Sequence, residues 1–74
     1  MDALAQKVLG MFASLKKEVL DLHELFEAGC NDPGARAAVL DTVEGLVKAG
    51  LLEEKGNDFY ALTAEGQIAS RNNA

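Results

Sequence analysis

Apolar residues recur along the first fifteen positions at the spacing of one helix face. The separations are 4, 3, 1 and 3 positions, which is the periodicity of an amphipathic helix. The pattern predicts a first helix from about residue 2 to residue 15. A charged run at 16–18 ends the pattern, and residues 19–20 follow as either a very short strand or an extended link. The apolar positions are Leu4, Val8, Met11, Phe12 and Leu15.

A capping signal opens the second predicted helix. Asp21 and Glu24 have the spacing of a capping box, in which each side chain accepts a hydrogen bond from the other residue's backbone N–H. Gly29 follows at the distance expected of a left-handed residue that ends the helix. The apolar side of this short helix would consist of Leu22, Leu25 and Phe26.

The third predicted helix begins at Asp32-Pro33, with Asp as the N-cap and Pro at the first helical position. It should end at Gly50. Gly45 lies inside it, where it predicts a close approach to another helix. The side predicted to be buried consists of Val39, Leu40, Val43, Leu46 and Val47. The opposite stripe consists of Ala37, Asp41, Glu44 and Lys48.

Two short segments, 51–55 and 58–62, are predicted to be strands around a turn at Gly56-Asn57. Period-two alternation places Phe59 on the face opposite the core, near Leu51. There it either covers the edge of a small core or contacts a second subunit or partner. The residues expected to face the core are Leu52, Tyr60 and Leu62.

A short last helix is predicted from residue 64 to about 70. Thr63 has the side chain of an N-cap residue, and Ile68 is the expected anchor of this helix on the core. The final residues, 71–74, are expected to fray. The chain therefore reads as helix, helix, helix, strand, strand and short helix.

Composition limits the range of functions. Seventy-four residues, 49% of them hydrophobic, fit one domain with its own core. A single cysteine excludes an intrachain disulfide and favours a cytoplasmic protein, and no apolar run is long enough for a membrane span. One histidine and one cysteine make no metal cluster or catalytic pair, so we expect no enzymatic activity and no cofactor. His23 is expected at the surface, and Cys30 in a partly buried loop.

The segment 43–66 resembles the end of winged-helix transcriptional regulators of the MarR, PadR and related groups. The resemblance rests on the patterns Val-x-x-Leu-Val-x-x-Gly-Leu-Leu-Glu and Tyr-x-Leu-Thr-x-x-Gly. With the two preceding helices it covers nearly the whole chain. The residues that carry it are Val43, Leu46, Val47, Gly50, Leu51, Leu52, Glu53, Tyr60, Leu62, Thr63 and Gly66. It implies a mainly α fold with a small β-hairpin wing, the winged helix-turn-helix.

The same resemblance implies a small DNA-binding transcriptional regulator. In such proteins the third helix enters the major groove, the link after the first helix touches phosphates, and the wing reaches the adjacent groove or backbone. Arg36 is the residue on the third helix that can bind guanine through two hydrogen bonds. The implied DNA contacts are Lys16, Lys17, Ala35, Arg36, Ala37, Thr42, Lys55 and Asn57.

Charge conflicts with that function. The net charge is −5, and carboxylates at a phosphate surface repel DNA. An alternative is an acidic winged-helix module that binds a protein partner and no DNA, with Asp41, Glu44 and Phe59 as the contact residues. A homodimer is compatible with either function, since a lone domain of this size would bind DNA weakly. Lys16 and Lys17 have a simpler interpretation as a solvated helix end.

Overall fold

The computed structural model describes residues 2–72, which form a mainly helical fold with a small three-stranded antiparallel sheet. The helices are α1 (Ala3–Leu15), α2 (Leu22–Leu25), α3 (Arg36–Lys48) and α4 (Ala64–Asn72). The strands are β1 (Val19–Asp21), β2 (Leu52–Gly56) and β3 (Phe59–Leu62). Short 3₁₀ helices, Phe26–Gly29 and Pro33–Ala35, extend α2 and precede α3.

One hydrophobic core joins α1, α3 and the inner face of the sheet. The α1 helix packs on α3 and on α4, and burial on its core side is as the apolar spacing predicts, except at Leu15, which is 42% exposed. Leu15 falls at the last turn of α1, beyond the elements that cover the rest of that face. The largest fully buried side chains are Phe12, Leu9, Leu20, Leu25, Leu52, Val8, Val39 and Val43.

The sheet has the order β1-β3-β2, and both pairings are antiparallel. Residues 19–20 therefore belong to a strand, and the predicted two-stranded hairpin is part of a three-stranded sheet. Leu20 lies opposite Tyr60, and Leu52 lies opposite Leu62. Leu20, Tyr60 and Leu52 are buried and Leu62 packs against the core, so this face is apolar as alternation predicts.

The predicted helix boundaries have the expected hydrogen bonds. Asp21 Oδ1 accepts from the N–H of Glu24 at 2.7 Å, while Glu24 Oε1 accepts from the N–H of Asp21 at 3.2 Å. At the end of α3 the N–H groups of Gly50 and Leu51 donate to the carbonyls of Val47 and Leu46. With Gly50 at φ 80°, this is a Schellman motif, which satisfies the last carbonyls of the helix.

The hairpin turn lies one residue later than predicted. Asn57 and Asp58 both have positive φ, at 52° and 64°, as the two central residues of a type I′ turn require. Gly56 pairs with Phe59 and is the last residue of β2, beside a register shift after Glu54. The extra residue of this bulge moves the turn, and the sequence pattern alone did not reveal it.

The glycines of the second and third predicted helices have other roles than predicted. Gly29 is not the left-handed residue; Cys30 and Asn31 are, with φ of 61° and 57°. A Cβ on Gly29 would lie 2.9 Å from the Ala35 Cβ, so this glycine allows close packing. Gly45 is the reverse case, because a Cβ there would meet no atom within 4 Å. The predicted close approach at Gly45 is wrong.

The last helix is held by Thr63 and Gly66. The prediction that Ile68 anchors this helix on the core is wrong, because Ile68 is 55% exposed. Thr63 Oγ1 donates to the Gly50 carbonyl at 2.7 Å and accepts from the Gly66 N–H at 3.0 Å. Gly66 is buried against the backbone of Leu51. The helix continues to Asn72, beyond the predicted end near 70; of the segment predicted to fray, residues 73–74 lie outside the described residues.

Candidate partner interface

The start of α3 carries the residues that the family resemblance assigns to base contacts. Arg36 is exposed, and its guanidinium lies 5.5 Å from the centre of the Phe26 ring, a cation–π arrangement. Ala37 is exposed, whereas Ala35 is half-buried beside Gly29 and Thr42 is half-buried. This end of α3 therefore presents one cation, already stacked on an aromatic ring, and a small apolar side chain.

The other basic DNA-contact candidates include two with acidic neighbours in the structure. Lys17 Nζ lies 3.2 Å from Glu24 Oε2, and Lys55 Nζ pairs with Glu53 Oε1. Both pairs are largely exposed, so each contributes little to stability. They do place a carboxylate beside each ammonium group, which lowers the local positive potential that a phosphate would meet. Asn57 is exposed at the turn, and Lys16 is exposed at the end of α1.

The outward stripe of α3 is the one that the sequence predicts. All four predicted members are exposed, namely Ala37, Asp41, Glu44 and Lys48, and so are the neighbouring Ala38 and Gly45. Two carboxylates and one ammonium group give this surface a negative charge. Its small side chains leave the helix backbone accessible to a partner.

A groove of about 350 Å³ separates α3 from the hairpin. Glu44 and Lys48 line it from α3, and Glu54 lines it from β2. Tyr60 lies at its base and is 6% exposed. Burial raises the pKa of Tyr60 above its ordinary value of 10.0, and the negative charges of Glu54, Asp58 and Glu44 raise it further. Each wall of the groove thus contributes a carboxylate, and Lys48 adds an ammonium group on the α3 wall.

No family model, curated protein or solved structure matches this chain.

The sequence pattern assigned neither Glu54 nor Asp58 to a site. Glu54 lies opposite Tyr60 across β2 and β3, so both point to the same face of the sheet. This pairing depends on the bulge after Glu54. Counting residues from the predicted turn at Gly56-Asn57 gives another register, and the groove could not be assembled from the sequence.

Phe59 lies on the outer face of the sheet, as alternation predicts, and is 41% exposed. Leu51, its expected neighbour, instead packs against the core. The residues that pair with Phe59 are Asp21 on β1 and Gly56 on β2. Val19, two residues from Asp21 on the same face, is 40% exposed. The outer face of the sheet therefore carries two exposed apolar side chains.

Other chemistry is sparse in residues 2–72. No group of three or more His, Cys, Asp and Glu side chains in that range could hold a metal ion. Cys30, expected to be partly buried, is exposed, because the chain turns outward through two left-handed residues at this point. His23 is exposed, as expected. Within the same range no helix is long and apolar enough to cross a membrane.

The Tyr60 environment leads to a testable pH dependence. Tyr60 is the only tyrosine and the chain has no tryptophan, so the near-ultraviolet absorbance of phenolate titrates one residue. We expect a midpoint above 10.0, and a lower midpoint in Glu54→Gln because a nearby negative charge is removed. Glu65→Gln, which removes the same charge from α4, should leave the midpoint unchanged. A wild-type midpoint at or below 10.0 would contradict the assignment.

The sign of the stability effect follows from the same shift. The folded protein holds the Tyr60 proton more tightly than the unfolded chain does. Its contribution to the free energy of unfolding is therefore complete below the unfolded pKa of 10.0 and is lost as the pH rises through the folded value. Tyr60→Phe should remove this part of the loss of stability at alkaline pH.

Proposed function

We propose that this chain is a winged helix-turn-helix domain that acts as a protein-interaction module and binds a basic segment of a partner protein. The order of elements supports the fold: three helical segments, then a hairpin, with β1 paired to the second strand of that hairpin. The pattern of Gly50, Leu52, Thr63 and Gly66 supports it as well. The function is carried by the groove between α3 and the hairpin.

The observation behind the proposal is the distribution of charge around Tyr60. Glu44 and Glu54 face this groove from opposite walls, and Asp58 contributes to the same negative potential. A Lys or Arg side chain entering here would meet a carboxylate on each side and the ammonium group of Lys48 on the α3 wall, with apolar contacts from Leu40 and Val47. A phosphate would meet repulsion at the same place. The position is where the family resemblance implies contact between α3, the wing and DNA.

DNA binding by a small transcriptional regulator is the second candidate. It is supported by the element order and by Arg36, which is exposed at the start of α3. It requires the duplex to approach α3 near Asp41 and Glu44, which are both exposed carboxylates. Because phosphate neutralisation supplies most non-specific DNA affinity, we rank it second. A cytoplasmic location is part of both proposals.

The two candidate functions predict different ligands: a basic peptide for the protein-interaction module and duplex DNA for the transcriptional regulator. We expect a short labelled peptide of alternating lysine and alanine to bind more tightly than a labelled duplex DNA, measured by fluorescence anisotropy at equal ionic strength. Glu44→Gln/Glu54→Gln should weaken the peptide complex about tenfold or more, as loss of close charge pairs does. The matched control is Glu27→Gln/Glu65→Gln, which removes two exposed carboxylates elsewhere.

A salt series separates this outcome from its alternative. If duplex DNA binds more tightly than the peptide, with an affinity that falls steeply as salt rises, the interaction module is wrong. In that case Arg36→Ala should weaken the DNA complex and Glu44→Gln should strengthen it. Equal effects of the groove variant and the control on the peptide would mean that net charge alone drives its binding, and would also overturn the proposal.

A further inference from the structure

Basic side chains are concentrated at the opposite end of the sheet from the acidic groove. Lys16, Lys17 and Arg71, three of the seven basic residues, line one open groove of about 310 Å³ between the end of α1 and α4. Glu18 is the acidic residue among those lining it. Glu24 pairs with Lys17 at 3.2 Å, so the rim has only a small net positive charge, in a chain whose total charge is −5. We call this the basic groove.

The base of the basic groove is apolar. Phe12 and Leu62 contribute to its lining; Phe12 is 2% exposed and Leu62 packs against the core. Cations around an apolar base suit a ligand that combines carboxylates with an apolar side chain. A phosphate backbone offers charge without that apolar group.

The chain itself presents such a surface on the outer face of its sheet. Phe59 and Val19 are exposed there, at 41% and 40%. Asp21 pairs with Phe59, and Glu53 and Val19 both pair with Ala61, which places both carboxylates on the face that carries the apolar side chains. The outer face is therefore an apolar surface bordered by the Asp21 carboxylate, which caps α2, and by the exposed Glu53–Lys55 ion pair.

We propose that the basic groove of one copy binds the outer sheet face of a second copy. Phe59 of the second copy would cover the apolar base, and its neighbouring carboxylates would face Lys16 and Arg71. Charge complementarity and the exposed apolar side chains of the outer face select this occupant. The proposal concerns different residues from the acidic groove beside Tyr60 and does not depend on the function assigned to that groove.

The geometry makes this contact head-to-tail. Phe59 begins β3 on the outer face, whereas Leu62 ends β3 on the inner face, beside the basic groove. Each copy thus offers a groove and a face at different places, and both can be occupied at once. A contact of this kind is heterologous and continues beyond a dimer unless a ring closes.

Sedimentation equilibrium tests the contact directly. The weight-average mass of the wild type should rise with concentration from the monomer mass of 7.8 kDa and continue past twice that value. Raising the salt should reverse the increase, because the charged rim is exposed and is screened. Phe59→Thr should weaken association about tenfold, the usual scale for a central aromatic contact.

A second variant removes the groove and keeps the fold. Lys16 ends α1 in the left-handed region, with φ of 55°, where glycine is the preferred residue. Lys16→Gly/Arg71→Gln should therefore lose association without losing stability, as checked by thermal unfolding. Lys7→Glu changes the net charge by the same amount at an exposed position outside both grooves and the outer sheet face, and should associate like the wild type.

Mixing the two defective variants gives the decisive result. Phe59→Thr keeps its basic groove, and Lys16→Gly/Arg71→Gln keeps its outer face, so the mixture should form a one-to-one complex and stop there. The proposal is overturned if the wild type remains monomeric at every concentration, or if the mixture does not associate. If the wild type does not self-associate but the groove variant loses affinity for duplex DNA, the basic groove is a phosphate site, and the proposal is overturned in that case too.

Discussion

Gly66→Ala is expected to destabilise the protein by about 3 kcal/mol, at the upper end of the usual range for overpacking. A Cβ at this position would collide with the backbone carbonyl of Leu51 and would lie 2.7 Å from the Leu62 Cδ1. The carbonyl belongs to the turn between α3 and β2, so relief requires α4 to move. A chain of this length has about 4–11 kcal/mol of stability in total, and the loss is a large part of it.

Chemical denaturation of the variant and of Gly45→Ala provides the comparison. Both glycines are in helices, but a Cβ at position 45 meets nothing within 4 Å. Gly45→Ala should therefore raise the free energy of unfolding by about 0.5–1 kcal/mol through helix propensity. If Gly66→Ala were neutral or stabilising, the close packing of α4 on the Leu51 carbonyl would be wrong.

Charge reversal at the acidic groove should have the largest effect on binding. In Glu44→Lys/Glu54→Lys, the carboxylate on each wall of the groove is replaced by an ammonium group, beside the Lys48 already present on the α3 wall. We expect affinity for a lysine-rich peptide to fall about a hundredfold, since two attractions become repulsions and like charges at close range cost several kcal/mol. Isothermal titration calorimetry at low salt measures the change.

The matched variant is Glu27→Lys/Glu65→Lys, which alters the net charge by the same amount at two exposed positions away from the groove. Its peptide affinity should fall far less, through the long-range field alone. The comparison of these two double variants also tests whether the groove is the contact surface. If the groove reversal and the matched variant bind the peptide equally well, the groove is not the contact surface.

Much of the fold follows from local chemistry in the sequence. The capping box at Asp21 and the end of the third helix at Gly50 are confirmed because each depends on a few residues that are close along the chain. The buried side of α3 is confirmed for a similar reason, since helical periodicity fixes which side chains share a face. The winged-helix assignment remains a proposal built on these elements.

The errors arise where backbone packing between distant segments decides the outcome. Ile68 was expected to anchor α4, but the contact of Gly66 with Leu51 turns Ile68 outward. Gly29 was expected to be the left-handed residue at the end of the second helix. The 3₁₀ extension of α2 does end there, but the positive φ falls on Cys30 and Asn31, and Gly29 is kept small by Ala35. A glycine can mark either a positive φ or a close approach, and sequence alone does not separate the two.

The candidate interface was only partly predictable. The outward stripe of α3, with Asp41 and Glu44, follows from periodicity and is exposed as predicted. The other wall depends on the bulge after Glu54, which sets the pairing of Glu54 with Tyr60. Strand register is a tertiary property in a short hairpin of mixed polarity, and a one-residue error moves a side chain to the other face.

The central claim is that the acidic groove between α3 and the hairpin receives a basic protein segment. Amide chemical-shift mapping by NMR, with the lysine-rich peptide and then with duplex DNA, tests it most directly. The account predicts that the peptide shifts the amides of Glu44, Lys48, Glu54 and Tyr60, and that the duplex causes weaker changes. Large shifts with the duplex at Arg36, Ala37 and Asn57, without a response of the groove to the peptide, would contradict it.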